Sequence, residues 1–241
     1  MTVWWSRAIL IFAVLAAAAL PIGALGSRFG VWDFRMGLLV LLAGVLIAAV
    51  VFLGGGVGWF VANSRKLAGD RSAISLGLVV SALILGVMAL PFYSAVSVPP
   101  IHNISTDVDD PPAFDTLAAA RGPDDNPLSY DASKLAPAQQ QAYPWVQPLT
   151  LAQPPAAAVA AAADALDEMG LEVVNRDPAN GLVEATATTF WFGFKDDLVV
   201  RVRPEGTGSR VDVRSVSRVG QSDLGANARR IGQLLDLLQS G

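Results

Sequence analysis

Apolar positions run almost unbroken through the first hundred residues, in blocks at about 8–25, 37–61 and 74–98. A run approaching ~20 apolar residues crosses the ~30 Å of hydrocarbon in a bilayer, so each block predicts a membrane-spanning helix. Trp4, Trp5 and Arg7 precede the first block as an aromatic and basic edge suited to a membrane interface. The block is also preceded by a basic residue and followed by Ala24-Leu25-Gly26, a small-residue pattern shared with secretory signals. Its length exceeds the ~7–15 residues of a signal core, and the expectation is a retained span. Gly54-Gly55-Gly56-Val57-Gly58 in the second block places small residues four apart, where helix backbones approach closely or bend.

After residue 154 the periodicity is that of a folded domain. Pro155–Met169 is alanine-rich, with Val159, Ala163, Leu166 and Met169 on one helical face and Gly170 as its stop. Four short strands are predicted at Leu171–Asn175, Leu182–Phe190, Leu198–Arg203 and Arg210–Ser217, separated by the turn signals Asp177–Gly181 and Pro204–Gly208. A last helix starts near Ser222 or Asp223 and carries Leu224, Ala228, Ile231, Leu235 and Leu238 as its stripe. The expected fold is therefore a three-span α-helical transmembrane anchor plus an α+β domain. The domain reads as a two-layer sandwich, with a four-stranded antiparallel sheet under two helices.

Residues 99–154 join the two parts. The stretch Pro99–Pro155 holds eleven of the fifteen prolines, which argues against regular helix or strand. It also carries Ile101, Ile104, Phe114, Leu117, Tyr130, Leu135, Tyr143, Trp145, Val146 and Leu149, too apolar for a solvated linker. A long proline-rich strap packing on the domain is expected. The resulting division is 1–98 membrane region, 99–154 strap and 155–241 α+β domain.

Composition narrows the function classes. A net charge of −4 gives no basic footprint for nucleic acid. With no cysteine and one histidine, disulfides, thiolate sites and multi-histidine metal centres are excluded. Arg65, Lys66 and Arg71 fall in the 62–73 loop and Arg7 near the amino terminus, which by the positive-inside rule marks that side as cytoplasmic. The expected location is the inner (plasma) membrane, multi-pass, with the carboxyl-terminal domain on the periplasmic or extracytoplasmic side.

Three clusters carry candidate chemistry. On the sheet, Leu198, Val200, Val202, Val211 and Val213 alternate toward the helices, and Arg201, Arg203, Arg210, Asp212 and Arg214 point away, with Glu184, Thr186 and Thr188 beside them. That face suits an anionic ligand or headgroup, since arginine matches phosphate and carboxylate in bidentate geometry; it is equally a solvated face with Glu184 and Asp212 paired across strands. In the strap, His102, Asp107, Asp109 and Asp110 supply oxygen chemistry for Ca²⁺ or Mg²⁺ but lack the glycine and distal glutamate of an EF-hand. Turn and capping roles compete with that reading. Phe190, Trp191, Phe192 and Phe194 break the two-residue period; Trp191, Phe192 and Phe194 are candidates for a loop or membrane contact, and core closure is the alternative.

The strap run Ile101–Asp107 with Pro111–Phe114, the Asp196-Asp197 pair, Arg201, and the run Arg214–Ile231 resemble the bacterial and plastid family called domain of unknown function 1499. The resemblance spans about 100–240, implies no activity, and places the strap inside the folded domain. Within the second run, Arg214, Ser217 and Arg218 precede a helix start holding Asp223 and Asn227, where free N–H groups and the helix dipole favour an anion. The structural alternative has Asp223 capping the helix and Arg218 paired with Asp223 or with Asp196-Asp197.

The expected function is that of a non-enzymatic, cofactor-free envelope protein, its partners the bilayer and an anionic lipid, peptide or other envelope protein. Arg201, Arg214 and Arg218 would contact the anion, with Ser217, Asp223 and Asn227 beside them. Two other classes stay open: a metal-assisted hydrolase using the strap carboxylates with His102 as base, and an accessory subunit of a membrane complex.

Overall fold

The structure, a computed structural model, describes residues 3–240. It divides into two compact units: one holds the chain up to Tyr93 together with Phe190–Gly193, the other Ser94–Thr189 and the chain from Phe194 onward.

Three helices, α1 (Trp4–Arg28), α2 (Phe34–Ser64) and α3 (Ala68–Ser97), contain the three apolar blocks and are long and apolar enough to span a bilayer. The chain is thus read as a multi-pass membrane protein. Helices α1 and α2 meet through glycine: a Cβ on Gly23 would lie 2.6 Å from the carbonyl oxygen of Gly37, and one on Gly44 would lie 2.9 Å from Ala19 Cβ. In lipid, where apolar side chains gain little by burial, such backbone proximity is what holds helices together. In the Gly54–Gly58 run only Gly55 and Gly58 meet neighbours, Leu78 and Trp5, while Gly54 and Gly56 face open space. Helix α3 buries Asp70, Ile74, Gly77, Ser81 and Ile84, a four-three spacing that keeps one seam inward. Asp70 Oδ1 accepts from the Val3 N–H at 2.9 Å and from the Ser6 hydroxyl at 2.5 Å, so this buried acid is satisfied by the start of α1.

The second unit is α+β, and its antiparallel sheet has six strands rather than four. Strands β3 (Glu172–Asp177), β4 (Leu182–Thr188), β5 (Lys195–Glu205) and β6 (Gly208–Ser217) form the expected meander. The two additional strands come from the strap. Strands β1 (Asn103–Ser105) and β2 (Leu149–Leu151) lie end to end along the free edge of β6. Each lies in a proline-free window, 101–110 for β1 and 149–153 for β2, where unbroken N–H donors remain. The expectation that prolines exclude regular structure there is corrected further by helices α4 (Thr116–Ala119) and α5 (Ala132–Ala142). Gln139 of α5 clasps β1, its amide oxygen accepting from Ser105 N–H and its amide nitrogen donating to Ser105 C=O, which closes an otherwise bare sheet edge.

Helices α6 (Pro155–Glu168) and α7 (Ala226–Ser240) share one core with Leu198, Val200, Val202, Val211 and Val213, as alternation requires. Strap residues Ile101, Ile104, Tyr143, Val146 and Leu149 complete that core. The opposite sheet face is covered as well: Glu184, Asp197, Val199, Asp212, Arg214 and Val216 are buried, with α4 lying against β3 and β4. At the β3–β4 turn Gly181 is obligatory, because its φ is +66° and a Cβ would meet the Val202 carbonyl oxygen at 2.1 Å.

Candidate functional site

The strap-covered face of the sheet concentrates the polar chemistry. Cross-strand register puts Arg201 opposite Asp212 and Arg203 opposite Arg210. Two arginines directly opposite repel, so this face requires carboxylates to hold it. Asp212, fully buried, supplies two contacts at one oxygen, to Arg201 at 3.1 Å and Arg203 at 2.7 Å, and its other oxygen accepts from Arg210 at 3.0 Å. The strap supplies the remaining carboxylates. Asp110 accepts from Arg201 at 3.0 Å and Arg203 at 3.2 Å, and Asp107 from Arg210 at 3.0 Å. The basic face and the strap's acidic cluster therefore face one another, which neither sequence segment signals alone.

Asp107 also shapes the strap, since its other oxygen accepts the N–H groups of Asp109 at 3.2 Å and Asp110 at 2.9 Å. Burial opposes its ionisation most strongly, but these N–H groups with Arg210 and Arg201 outweigh burial and hold its carboxyl below the ordinary value. A depressed folded-state value means a stabilising contribution that is full above the unfolded-state value and lost as pH falls through the folded one. Acidification below about pH 4 is expected to loosen the Thr106–Pro112 segment, read as faster amide exchange there, and Asp107→Asn should show that loosening already at neutral pH.

Around Asp197 lies a second buried group. Its oxygens accept from Arg121 at 2.5 Å, from Arg218 at 2.9 and 3.0 Å, and from the Thr186 hydroxyl at 3.0 Å. Arg121, which no sequence pattern marked, is brought in from the turn after α4. Arg214 stands apart from both groups. It is buried, donates to Asn103 Oδ1 at 3.0 Å and to the carbonyls of Pro112 and Leu128, and lies 5.5 Å from the Phe114 ring centre and 5.7 Å from that of Tyr130. Burial pushes its guanidinium down to about 10, and the Tyr130 phenol is pushed up to about 12 for the same reason. Three acceptors and two π-faces stand in for a counter-ion.

The candidate residues Ser217, Asp223 and Asn227 lie on the other, helix-covered side. Ser215 and Ser217 hydroxyls bond the Asn227 side chain at 2.6 and 2.9 Å, and Arg230 bridges Asn227 and Asp196. Asp223 accepts from the N–H groups of Gly225 and Asn227, both at 2.8 Å, so the start of α7 already holds a carboxylate. Burial raises its affinity for a proton despite those donors. The sheet thus separates Arg201, Arg214 and Arg218 from Ser217, Asp223 and Asn227, and no single ligand touches all six.

His102 contributes its carbonyl oxygen, which accepts from Ser217 N–H at 2.9 Å and from the Asn227 amide at 3.1 Å. Among the described residues no group of three or more His, Cys, Asp or Glu is arranged to hold a metal ion. The strap carboxylates spend their lone pairs on guanidinium and backbone N–H instead. Of the aromatic loop, Phe190 and Trp191 are exposed; within the first unit the Arg28 guanidinium donates to the Phe190 carbonyl at 2.6 Å, and Phe192 adjoins Gly37. Phe194 closes the loop's other end, its N–H donating to the Thr189 hydroxyl at 2.9 Å.

Among known families, the one described as protein of unknown function (DUF1499) matches residues 103–238, from β1 to the last turn of α7. Comparison with curated proteins finds no match.

Proposed function

Since the chain belongs to the DUF1499 family, whose description assigns no activity, we propose from its geometry that it is a membrane-anchored recognition protein, non-enzymatic, whose α+β domain binds an anionic lipid headgroup. The observation that carries this reading is the state of the Arg201–Arg203–Arg210 patch. Its buried carboxylate, Asp212, is fixed in the sheet, whereas Asp110 is 67% exposed and Arg203 41% exposed at their side chains. Asp110 occupies the position an external oxyanion would take, and exchange costs little because exposed ion pairs are weak. Arg214 and Arg218 position the strap around this patch rather than contacting the ligand.

Location supports the same reading. Ser97 ends α3 and Asn103 begins β1, so the chain between them reaches at most about 20 Å. Basic residues Arg65, Lys66 and Arg71 favour the cytoplasm for the α2–α3 loop, which directs the domain to the extracytoplasmic side of an inner (plasma) membrane. An acidic peptide or another envelope protein would use the same oxyanion chemistry.

Titration of the full chain in neutral detergent with short-chain phosphatidylglycerol checks the proposal. Arg203→Gln is expected to weaken binding about fivefold, and Asp110→Asn, which removes the internal competitor, to strengthen it by a similar factor. Identical affinities in the three proteins would discard the headgroup reading.

A further inference from the structure

Between α1 and α2 runs a groove of about 450 Å³ that the α+β domain's ligand does not involve. Ile9 and Phe12 form one wall, and Val50, Gly54 and Val61 the other. Gly54 lies on an open part of the groove's floor, where an added Cβ would meet nothing within 4 Å. From Val50 to Val61 the α2 axis rises about 16 Å, the depth of one leaflet in a ~30 Å hydrocarbon core. The groove is thus apolar over the length of one leaflet and polar only at its end.

At that end stand Trp5 and Arg65. Arg65 lies one helical turn beyond Val61, at headgroup depth, and Trp5 is the ring type that settles at that level. The Arg65 side chain is exposed and has no hydrogen-bond or ion-pair partner among the described residues. Lys66 beside it is exposed too, while the nearby acid, Asp70, is buried and engaged with Val3 and Ser6. The mouth is therefore positive, with no counter-ion among the described residues.

We propose that this groove holds one acyl chain of an anionic phospholipid, with the lipid phosphate paired to Arg65. The glycine floor admits the chain, the leaflet-length walls exclude water from it, and the guanidinium selects the headgroup. A lipid seated there fills the space between α1 and α2 over Gly54.

Native mass spectrometry of the full chain released from nanodiscs of equal phosphatidylglycerol and phosphatidylcholine tests it. The unaltered chain should carry a one-lipid adduct favouring phosphatidylglycerol about fivefold. Gly54→Phe fills the groove and should remove the adduct, whereas Gly56→Phe, at an equally open glycine outside the groove, should keep it. Arg65→Gln should keep the adduct and lose the preference. Arg203→Gln, which tests the domain's headgroup reading, should lower only a second adduct held by the domain and leave the groove's adduct and its preference unchanged. No adduct on the unaltered chain, equal behaviour of the two glycine variants, an undiminished preference in Arg65→Gln, or a lipid-free dimer would each overturn the proposal.

Discussion

Replacing Asp197 with asparagine is expected to destabilise the α+β domain by about 3–5 kcal/mol, the cost of removing one partner from a buried ion pair. The carboxylate is fully buried, and its partners Arg121 and Arg218 are 6% and 15% exposed at their side chains. Asparagine keeps the shape and an acceptor for the Thr186 hydroxyl but leaves two guanidinium groups without a counter-charge. Thermal unfolding of the full chain in detergent, followed by the sheet signal, should show the midpoint fall by roughly 10–20 °C for a domain of this size. The loss would come from stranded charge rather than lost packing, so Asp197→Leu combined with Arg121→Leu and Arg218→Met should regain most of it. A single variant as stable as the parent would mean that Arg121 and Arg218 swing out to solvent at no cost.

That network also marks the limit of what the sequence discloses. The three apolar blocks, the alternation of Leu198–Val202 against Val211–Val213, and the turn between β5 and β6 are local patterns, legible because each is set by residues a few positions apart. The partners of the arginine face are not local. Arg201 and Arg203 meet Asp110 across 91 and 93 residues, and Arg210 meets Asp107 across 103. Read separately, one segment suggests an anion site and the other a cation site, though each supplies the other's counter-ions. Strands β1 and β2 escaped for a related reason. Three residues are too few to display a period, and their pairing is dictated by the open edge of β6. The capping role of Asp223 and the pairing of Arg218 with Asp197 were legible as alternatives, because a carboxylate beside a helix start and an arginine beside an acidic pair are short-range arrangements. Arg121 had no such signal, lying in a proline-glycine turn whose path is fixed only by α4.

Glu184 explains how α4 is fixed, and Glu184→Ala is expected to have the second large effect. In the solvated-face alternative Glu184 pairs across strands, and it does so with the amide of Asn175, its β3 neighbour, at 3.0 Å; its two oxygens also accept the N–H groups of Asp115 at 2.9 Å, Thr116 at 2.9 Å and Leu117 at 3.3 Å. No side chain within the segment caps α4, so the sheet caps it from β4. Three converging N–H groups at a helix start also compensate a buried carboxylate that has no cationic partner among the described residues. Removing it leaves those donors unpaired at a cost of about 3 kcal/mol or more. Glutamine should do little better, because its NH₂ would face donors. Hydrogen exchange should localise the effect, with Asp115–Leu117 amides losing protection while β5 and β6 keep theirs. An exchange pattern unchanged at 115–117 would contradict the capping role. Because the freed segment carries Arg121 with it, the Asp197 group would lose one of its two arginines in the same event. The Glu184→Ala and Asp197→Asn losses should therefore add to less than their sum, since each releases the strap that the other also holds.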